Sequence, residues 1–250
     1  MTDIQFAGIP LQNPLYKEVK RQIMAELISG EWKPGTAIPA EKRLSERFAV
    51  SIGTIRKAID ELVAENILIR QQGRGTFVAS HNRDRLLFYF FHIVAHDGTK
   101  QYPVVSLNSF ARGKAESHEA EPLQMQRGDP VFRIRNLLKL ADVPVIVDDI
   151  VIDQRRFPNL SEKQFAARPN TIYNLYQDAF GISVVRTQER LRAILADVQQ
   201  ARLLKVAPRA PLLRIARIAY SYQDVPIEAR TSIVNTEQHE YWSEIRNSER

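Results

Sequence analysis

Within residues 13–78, three apolar stripes at helical spacing run directly into a glycine-pinched β-rich pair, and few folds accept that order. Asn13-Pro14 is a helix start, because asparagine caps the first turn and proline there lacks only an N–H that would have no partner. Leu15, Val19, Ile23 and Leu27 follow four apart as one stripe, and Gly30 stops it. A turn-rich loop, Trp32-Lys33-Pro34-Gly35, leads to a short helix expected from about Ala40 to Phe48, with alanine a poor cap. Ser51 caps a third helix whose Ile55, Ala58, Ile59 and Leu62 face inward, and Asn66 ends it. QQGRGTFV (71–78) then offers two readings. A phosphate-cradling loop would have to open a helix, yet Thr76-Phe77-Val78-Ala79-Ser80 is β-branched and aromatic. Two β-rich runs joined through Gly73 and Gly75 make a hairpin, with Arg74 at its tip.

Three helices, the last two separated by a tight turn, followed by a hairpin, predict a winged helix-turn-helix. Ser51, Gly53, Thr54, Arg56 and Lys57 then occupy the first turns of the recognition helix, and Arg74 the wing tip. The plainer reading makes Arg56 and Lys57 a solvated face. The net charge of +6 permits a polyanionic partner. It is not concentrated, because residues 1–80 hold 11 Lys and Arg against 9 Asp and Glu. The nucleic-acid reading therefore rests on placement. The absence of cysteine excludes disulfides, thiolate nucleophiles and zinc–thiolate sites. No apolar run is long enough to span a bilayer and no signal-peptide layout opens the chain, so a cytoplasmic location is expected, with no membrane partner.

Beyond a polar joint at 81–85 the texture becomes α+β, with one main antiparallel sheet expected over 86–245. Runs 86–94 and 103–110 read as strands joined at Asp97-Gly98, and 111–121 as loop or frayed helix. Runs 131–140 and 144–153 pair across Ala141-Asp142-Val143. Asn170 is expected to cap a helix that Gly181 ends, and Asp197 to cap another. Residues 184–195 are strand-like, and 212–222 with 226–234 form a last hairpin. Arg133 and Arg135 share one strand face and could clamp a carboxylate or phosphate, or be a solvated edge. Asp148 and Asp149 point to opposite faces, so they make no acid–base pair. His92 and His96 lack further clustered ligands, and no catalytic triad or nucleotide loop is visible, so neither metal, cofactor nor catalysis is expected.

LISGEWKPG, IPAEKRLSERF, TIRKAIDELVAE and GRGTFV together resemble the DNA-binding domain of the GntR family of bacterial transcription regulators, over about Pro14 to Ser80. The resemblance adds Lys42 as a phosphate- or base-contacting position, and matches Ser51, Gly53, Thr54 and Arg56, and Gly73 to Gly75, to DNA-contacting ones. Where that family commonly has arginine after the capping serine, this chain has Ile52, so operator preference does not transfer. VFRIRNLLKL, Pro144 to Asp148, TIYNLY, ARLLKV and PIEAR resemble the UTRA ligand-sensing domain of the HutC subfamily, which shares its fold with chorismate lyase. By that resemblance Arg133 and Arg135 would meet an anionic group, with Asp148, Thr171, Tyr173 and Glu228 lining an effector pocket; Arg230, on the same strand face as Glu228, is added to them. Asp148 and Thr171 stand where glutamate and serine are usual. The implied protein is a homodimeric, effector-responsive regulator of operator DNA, most readily a repressor, with dimer contacts in the second domain. The alternative is an enzyme on the lyase-like fold. An RNA-binding winged domain lacks the clustered aromatics it needs.

Overall fold

A computed structural model describes residues 14–81, 90–169 and 171–243. The chain forms two compact units, Met1–Ala79 and Ser80–Arg250. Asn13, residues 82–85 of the expected joint, residues 86–89 of the expected strand and Asn170 lie outside the described residues.

In the first unit, α1 (Leu15–Ile28) buries Val19, Ile23 and Leu27, three members of the expected stripe, and leaves Leu15 exposed. The chain turns at Gly30, with φ +78°. Helix α2 (Glu41–Phe48) starts at Ala40 with no side-chain cap and ends at Ala49 in the left-handed region, φ 52°. Helix α3 (Ile52–Ala64) starts at Ser51, whose Oγ accepts the Thr54 N–H at 3.2 Å. Asn66 takes φ 58° and releases the chain into β1 (Leu68–Gln71) and β2 (Gly75–Val78). Their register, Gln71 opposite Gly75, leaves a three-residue tip in which Gly73 adopts φ +71°. Residues 36–38 add a third line to this sheet, because Val78 N–H donates to Thr36 O and Ile38 N–H to Thr76 O, both at 2.9 Å. Trp32, Leu44, Ile55, Ile59, Leu62, Leu68 and Val78 fill the core.

The second unit is built on six antiparallel strands in the order β4-β5-β6-β9-β8-β7. These are β4 (Val104–Lys114), β5 (Pro130–Leu140), β6 (Val143–Asp153), β7 (Arg186–Leu195), β8 (Pro211–Tyr220) and β9 (Pro226–Asn235). The β5–β6 and β8–β9 hairpins form as expected. Three expectations are corrected. The short strand β3 (Ile93–Ala95) does not pair with the strand after Asp97-Gly98; it pairs with β10 (His239–Tyr241), while β4 pairs with β5. The stretch 111–121 is not loop throughout: β4 continues to Lys114, and α4 (Ser117–Ala120) follows. Thr171 caps α6 (Ile172–Phe180), its Oγ1 accepting the Asn174 N–H at 3.1 Å, so the cap lies one residue after Asn170. A helix missed in the sequence, α5 (Glu162–Ala166), is capped by Ser161, and α7 (Val198–Leu204) carries a capping box between Asp197 and Gln200.

Strand alternation decides what each sheet face holds. On β5, Phe132, Ile134, Asn136 and Leu138 are buried, and Arg133 and Arg135 project oppositely. The first face meets α5 through Phe165, α6 through Tyr173 and Tyr176, and the turn before α5 through Phe157, packed with Ile134, Ile150, Ile152 and Ile227. Further along that face Ile93, Leu138, Ile146, Ile215 and Val234 form a second cluster. Across β5, β6, β8 and β9, the polar Asn136, Asp148, Arg217, Arg230 and Ser232 lie between these two apolar clusters and line a cavity.

Candidate nucleic-acid interface and ligand cavity

In the first unit the N-terminal end of α3 is open. Ser51, Ile52 and Gly53 are exposed and Thr54 half-buried. Arg56 is exposed and held by Glu41, at 2.9 and 3.2 Å, and Glu41 is also 3.5 Å from Arg70. The Arg56 end of the pair is exposed and screened by solvent, so a phosphate can compete with Glu41 for Arg56. Lys57 is drawn towards α1, with Nζ 4.2 Å from the Tyr16 ring centroid. Lys42 and its neighbour Arg43 are exposed and form no ion pair among the described residues. Arg43 is a cation that sequence reasoning missed. At the hairpin tip Arg74 rests 5.8 Å from the Phe77 ring, between the exposed Gly73 and Gly75.

In the second unit a cavity of about 530 Å³ opens over the first sheet face. Asp148, Thr171, Tyr173 and Arg230 line it. Glu228 is wholly buried beneath them. Its carboxylate accepts from Tyr176 at 2.8 Å, Tyr173 at 3.3 Å and Arg230 at 2.8 Å. Arg230 bridges on to Asp148 at 3.1 Å, whose other oxygen accepts from Ser232 at 2.5 Å. Burial alone would lower the Arg230 pKa, and the two carboxylates outweigh it and raise it. Burial first, and the neighbouring Glu228 charge second, push the Tyr173 hydroxyl up to about 12, so it stays a donor at neutral pH. Arg217, also on the wall, donates to Glu189 at 2.5 Å and to Phe90 O at 2.6 Å. Asp148, Glu228, Arg217 and Arg230 thus have protein partners.

Two wall groups are different, and neither was singled out in the sequence. Asn136 is 0% exposed and lines the cavity, and neither its Oδ1 nor its Nδ2 has a hydrogen-bond partner. An orphaned buried polar group costs roughly 1–3 kcal/mol. Arg168 lies 4.3 Å from the Phe165 ring and donates to Phe165 O at 2.5 Å, and no carboxylate among the described residues pairs with it. Burial lowers its pKa below the ordinary arginine value.

Arg133 and Arg135 are not on this cavity. They line an open groove on the opposite face. Arg133 grips Glu119 through two bonds of 2.6 Å, and Arg135 grips Asp149 at 2.6 and 3.0 Å. The Arg133 guanidinium lies where a Cβ on Gly113 would stand, 2.3 Å away, so glycine there makes room for the pair. Strand alternation thus separates the two arginines from Asp148, Thr171, Tyr173 and Arg230. Among the described residues no three His, Asp or Glu side chains are placed to hold a metal ion, and no helix is long and apolar enough to cross a membrane.

Residues 15–78 match the gntR family of bacterial regulatory proteins, and residues 100–240 match the UTRA domain. The chain is 31% identical over 222 residues to the probable fructoselysine utilization operon transcriptional repressor of Escherichia coli K12, spanning 85% of this chain and 87% of that protein. It is 30% identical to the histidine utilization repressor of Pseudomonas putida, over 87% of this chain and 86% of that one. The ligand-binding domain of a GntR-family transcriptional regulator from Bordetella bronchiseptica superposes with a TM-score of 0.60 at 29% identity, over 64% of this chain and 99% of that one.

Proposed function

This chain belongs to the GntR family, in its HutC-like, UTRA-containing branch, and from that premise we propose that it is a repressor released from its operator by a small metabolite held in the 530 Å³ cavity. It is a DNA-binding transcription regulator modulated by an effector, and not an enzyme, in keeping with relatives named as repressors. The finer assignments are these. Ser51, Gly53 and Thr54 bring the α3 backbone close to the major groove, where Arg56 changes partner from Glu41 to DNA. Lys42, with Arg43, takes phosphate, and Arg74 between Gly73 and Gly75 takes phosphate or the minor groove. Lys57 contributes charge from behind Tyr16.

In the cavity, Asp148, Thr171, Tyr173 and Arg230 orient the effector over Glu228, and Asn136 and Arg168 meet it directly. Arg133 and Arg135 brace the sheet. The protein acts in the cytoplasm as a homodimer on a two-fold operator, because one weakly charged winged unit has little hold on DNA. Relatives named for fructoselysine and histidine utilization support a place in catabolic gene control.

The observation that carries the effector assignment is the orphaned Asn136 amide, fully buried in the cavity wall. Operator duplexes selected from random DNA by the full-length protein provide the test. Anisotropy titrations should show release by a metabolite that is recovered unchanged. A metabolite consumed during release, or no duplex enriched, would sink the proposal.

A further inference from the structure

The cavity wall constrains its ligand more than its volume does. Two arginines, Arg217 and Arg230, are already surrounded by three carboxylates, Glu189, Glu228 and Asp148. A dianion placed there would meet excess negative charge, with Arg168 as its counter-charge. Arg168 stands three residues before Thr171, the cap of α6, and Thr171, Ile172 and Tyr173 also line the cavity. A nine-residue helix start offers partial positive charge, enough with one guanidinium for one negative charge. Phe91, Ile93, Val105, Leu138, Ile146 and Ile215 line much of the remainder. Against those positions the hydroxyls of a polyol would lose water without gaining partners. Asn136 stands out on this wall, its Nδ2 and Oδ1 both without a partner, side by side and fully buried. The group that satisfies both at once presents its own acceptor and donor on one side, as a primary carboxamide, a lactam or a ureide does.

We propose that the effector is a compact, partly apolar monocarboxylate bearing an amide-type group, whether carboxamide, lactam or ureide. The amide pairs with Asn136 through two hydrogen bonds, and the carboxylate meets Arg168. This rests on the cavity being the effector site. The cavity lies within the size range of small-molecule sites, roughly 300–1,000 Å³.

The experiment is isothermal titration of the full-length protein. The probes are succinamic acid, N-carbamoyl amino acids and 5-oxoproline. Controls are methylene-matched carboxylates without the amide, methyl esters of the acids, and glucose 6-phosphate with glucosamine 6-phosphate. At least one amide acid should bind about tenfold or more tighter than its methylene match, since a site built for a hydrogen bond rejects the analogue lacking it. Asn136→Leu should erase that preference and raise the melting temperature of the free protein, because it deletes the orphaned amide. Asn136→Ser guards against misfolding of the leucine variant. Arg168→Gln should erase the preference for acid over ester. Equal binding of amide acids and their methylene matches overturns the proposal. So do failure of every amide acid to bind at millimolar concentration and tighter binding of the sugar phosphates. Val105→Trp, at the half-open wall, separates the two levels: if it blocks a sugar phosphate, the cavity stands and the ligand class falls. If it blocks no bound probe, the cavity itself is wrong.

Discussion

Ile52 is the first residue of α3 and 43% exposed, in a place where a side chain gains more from hydrogen bonding than from packing. It cannot read a base edge polar group, although it can touch a thymine methyl. Ile52→Arg should therefore shift the selected operator towards guanine at one position of each half-site, by roughly 1–3 kcal/mol of discrimination. Parallel operator selections with parent and variant check this, and an unchanged consensus would count against the placement of α3. Arg133 makes the opposite case, that of a cation with a structural partner. Removing it strands Glu119, 8% exposed, beside the rest of α4. Arg133→Ala should cost about 1–3 kcal/mol in urea unfolding, below the 3–5 kcal/mol of a fully buried pair because Arg133 is partly exposed, and leave effector release intact.

The same pair has a pH signature. Burial would raise the Glu119 pKa, but the Arg133 bonds and the Glu116 N–H outweigh it, so the folded value falls below 4.5. Its stabilisation is therefore complete above the ordinary range and lost as pH falls through the lower folded value. In Arg133→Ala the acid limb of the stability curve should flatten, and an identical limb in both proteins would remove the pair from the account. The contrast with Asn136 was readable beforehand. In VFRIRNLLKL the apolar alternation runs Phe132, Ile134, Asn136, Leu138, so the polar residue on the apolar phase marks the site. Arg168 carried no such sign, because its lack of a carboxylate is a property of the folded neighbourhood.

At the scale of elements, what was legible was local. The stripe, caps and left-handed residues of the first unit act between near neighbours in sequence, so spacing alone fixes them. The pairing of β3 with β10 joins residues about 145 apart, and nothing in either three-residue run identifies its partner. The second unit also holds an element that links the cavity to the residues leading into it. His81 is 4% exposed, and its N–H donates to Gln177 Oε1 on α6 at 2.9 Å. Its ring meets Phe90 at 5.7 Å and Tyr173 at 5.8 Å, both on the cavity wall. A ligand that moves α6 or Tyr173 therefore moves the seat of His81. His81→Ala should keep effector affinity within a few-fold while weakening operator release, measured as the coupling between the two titrations. Loss of both affinities together would reduce His81 to a packing residue. For the hairpin, Arg74→Ala should lower the slope of log affinity against log salt by about 1 if the tip meets phosphate. The same slope and affinity as the parent would remove the tip from the DNA.

For the whole molecule the question is how a weakly charged reader becomes a switch. Residues 1–80 carry 11 Lys and Arg against 9 Asp and Glu, and Glu41 occupies Arg56 in the free state. One such unit has few uncommitted cations for counterion release, and its binding should be weak. Joining two copies makes the second half-site contact intramolecular and raises affinity by about 10²–10⁴ without any new contact. The second unit has the larger sheet and its own apolar clusters, and in the proposed dimer it is the unit assigned to hold two copies together. Release then requires the effector to bind one arrangement of the dimer better than the other, since equal affinity for both shifts nothing. Residues 80–250 should accordingly sediment as a dimer at micromolar concentration and bind the effector as the full chain does. Residues 1–79 should be monomeric and bind a single operator about 10²–10⁴ more weakly than the full chain, at matched salt. A monomeric 80–250 fragment, or a 1–79 fragment as tight as the parent, would show that the affinity resides in the winged unit itself and that the effector acts on each copy separately.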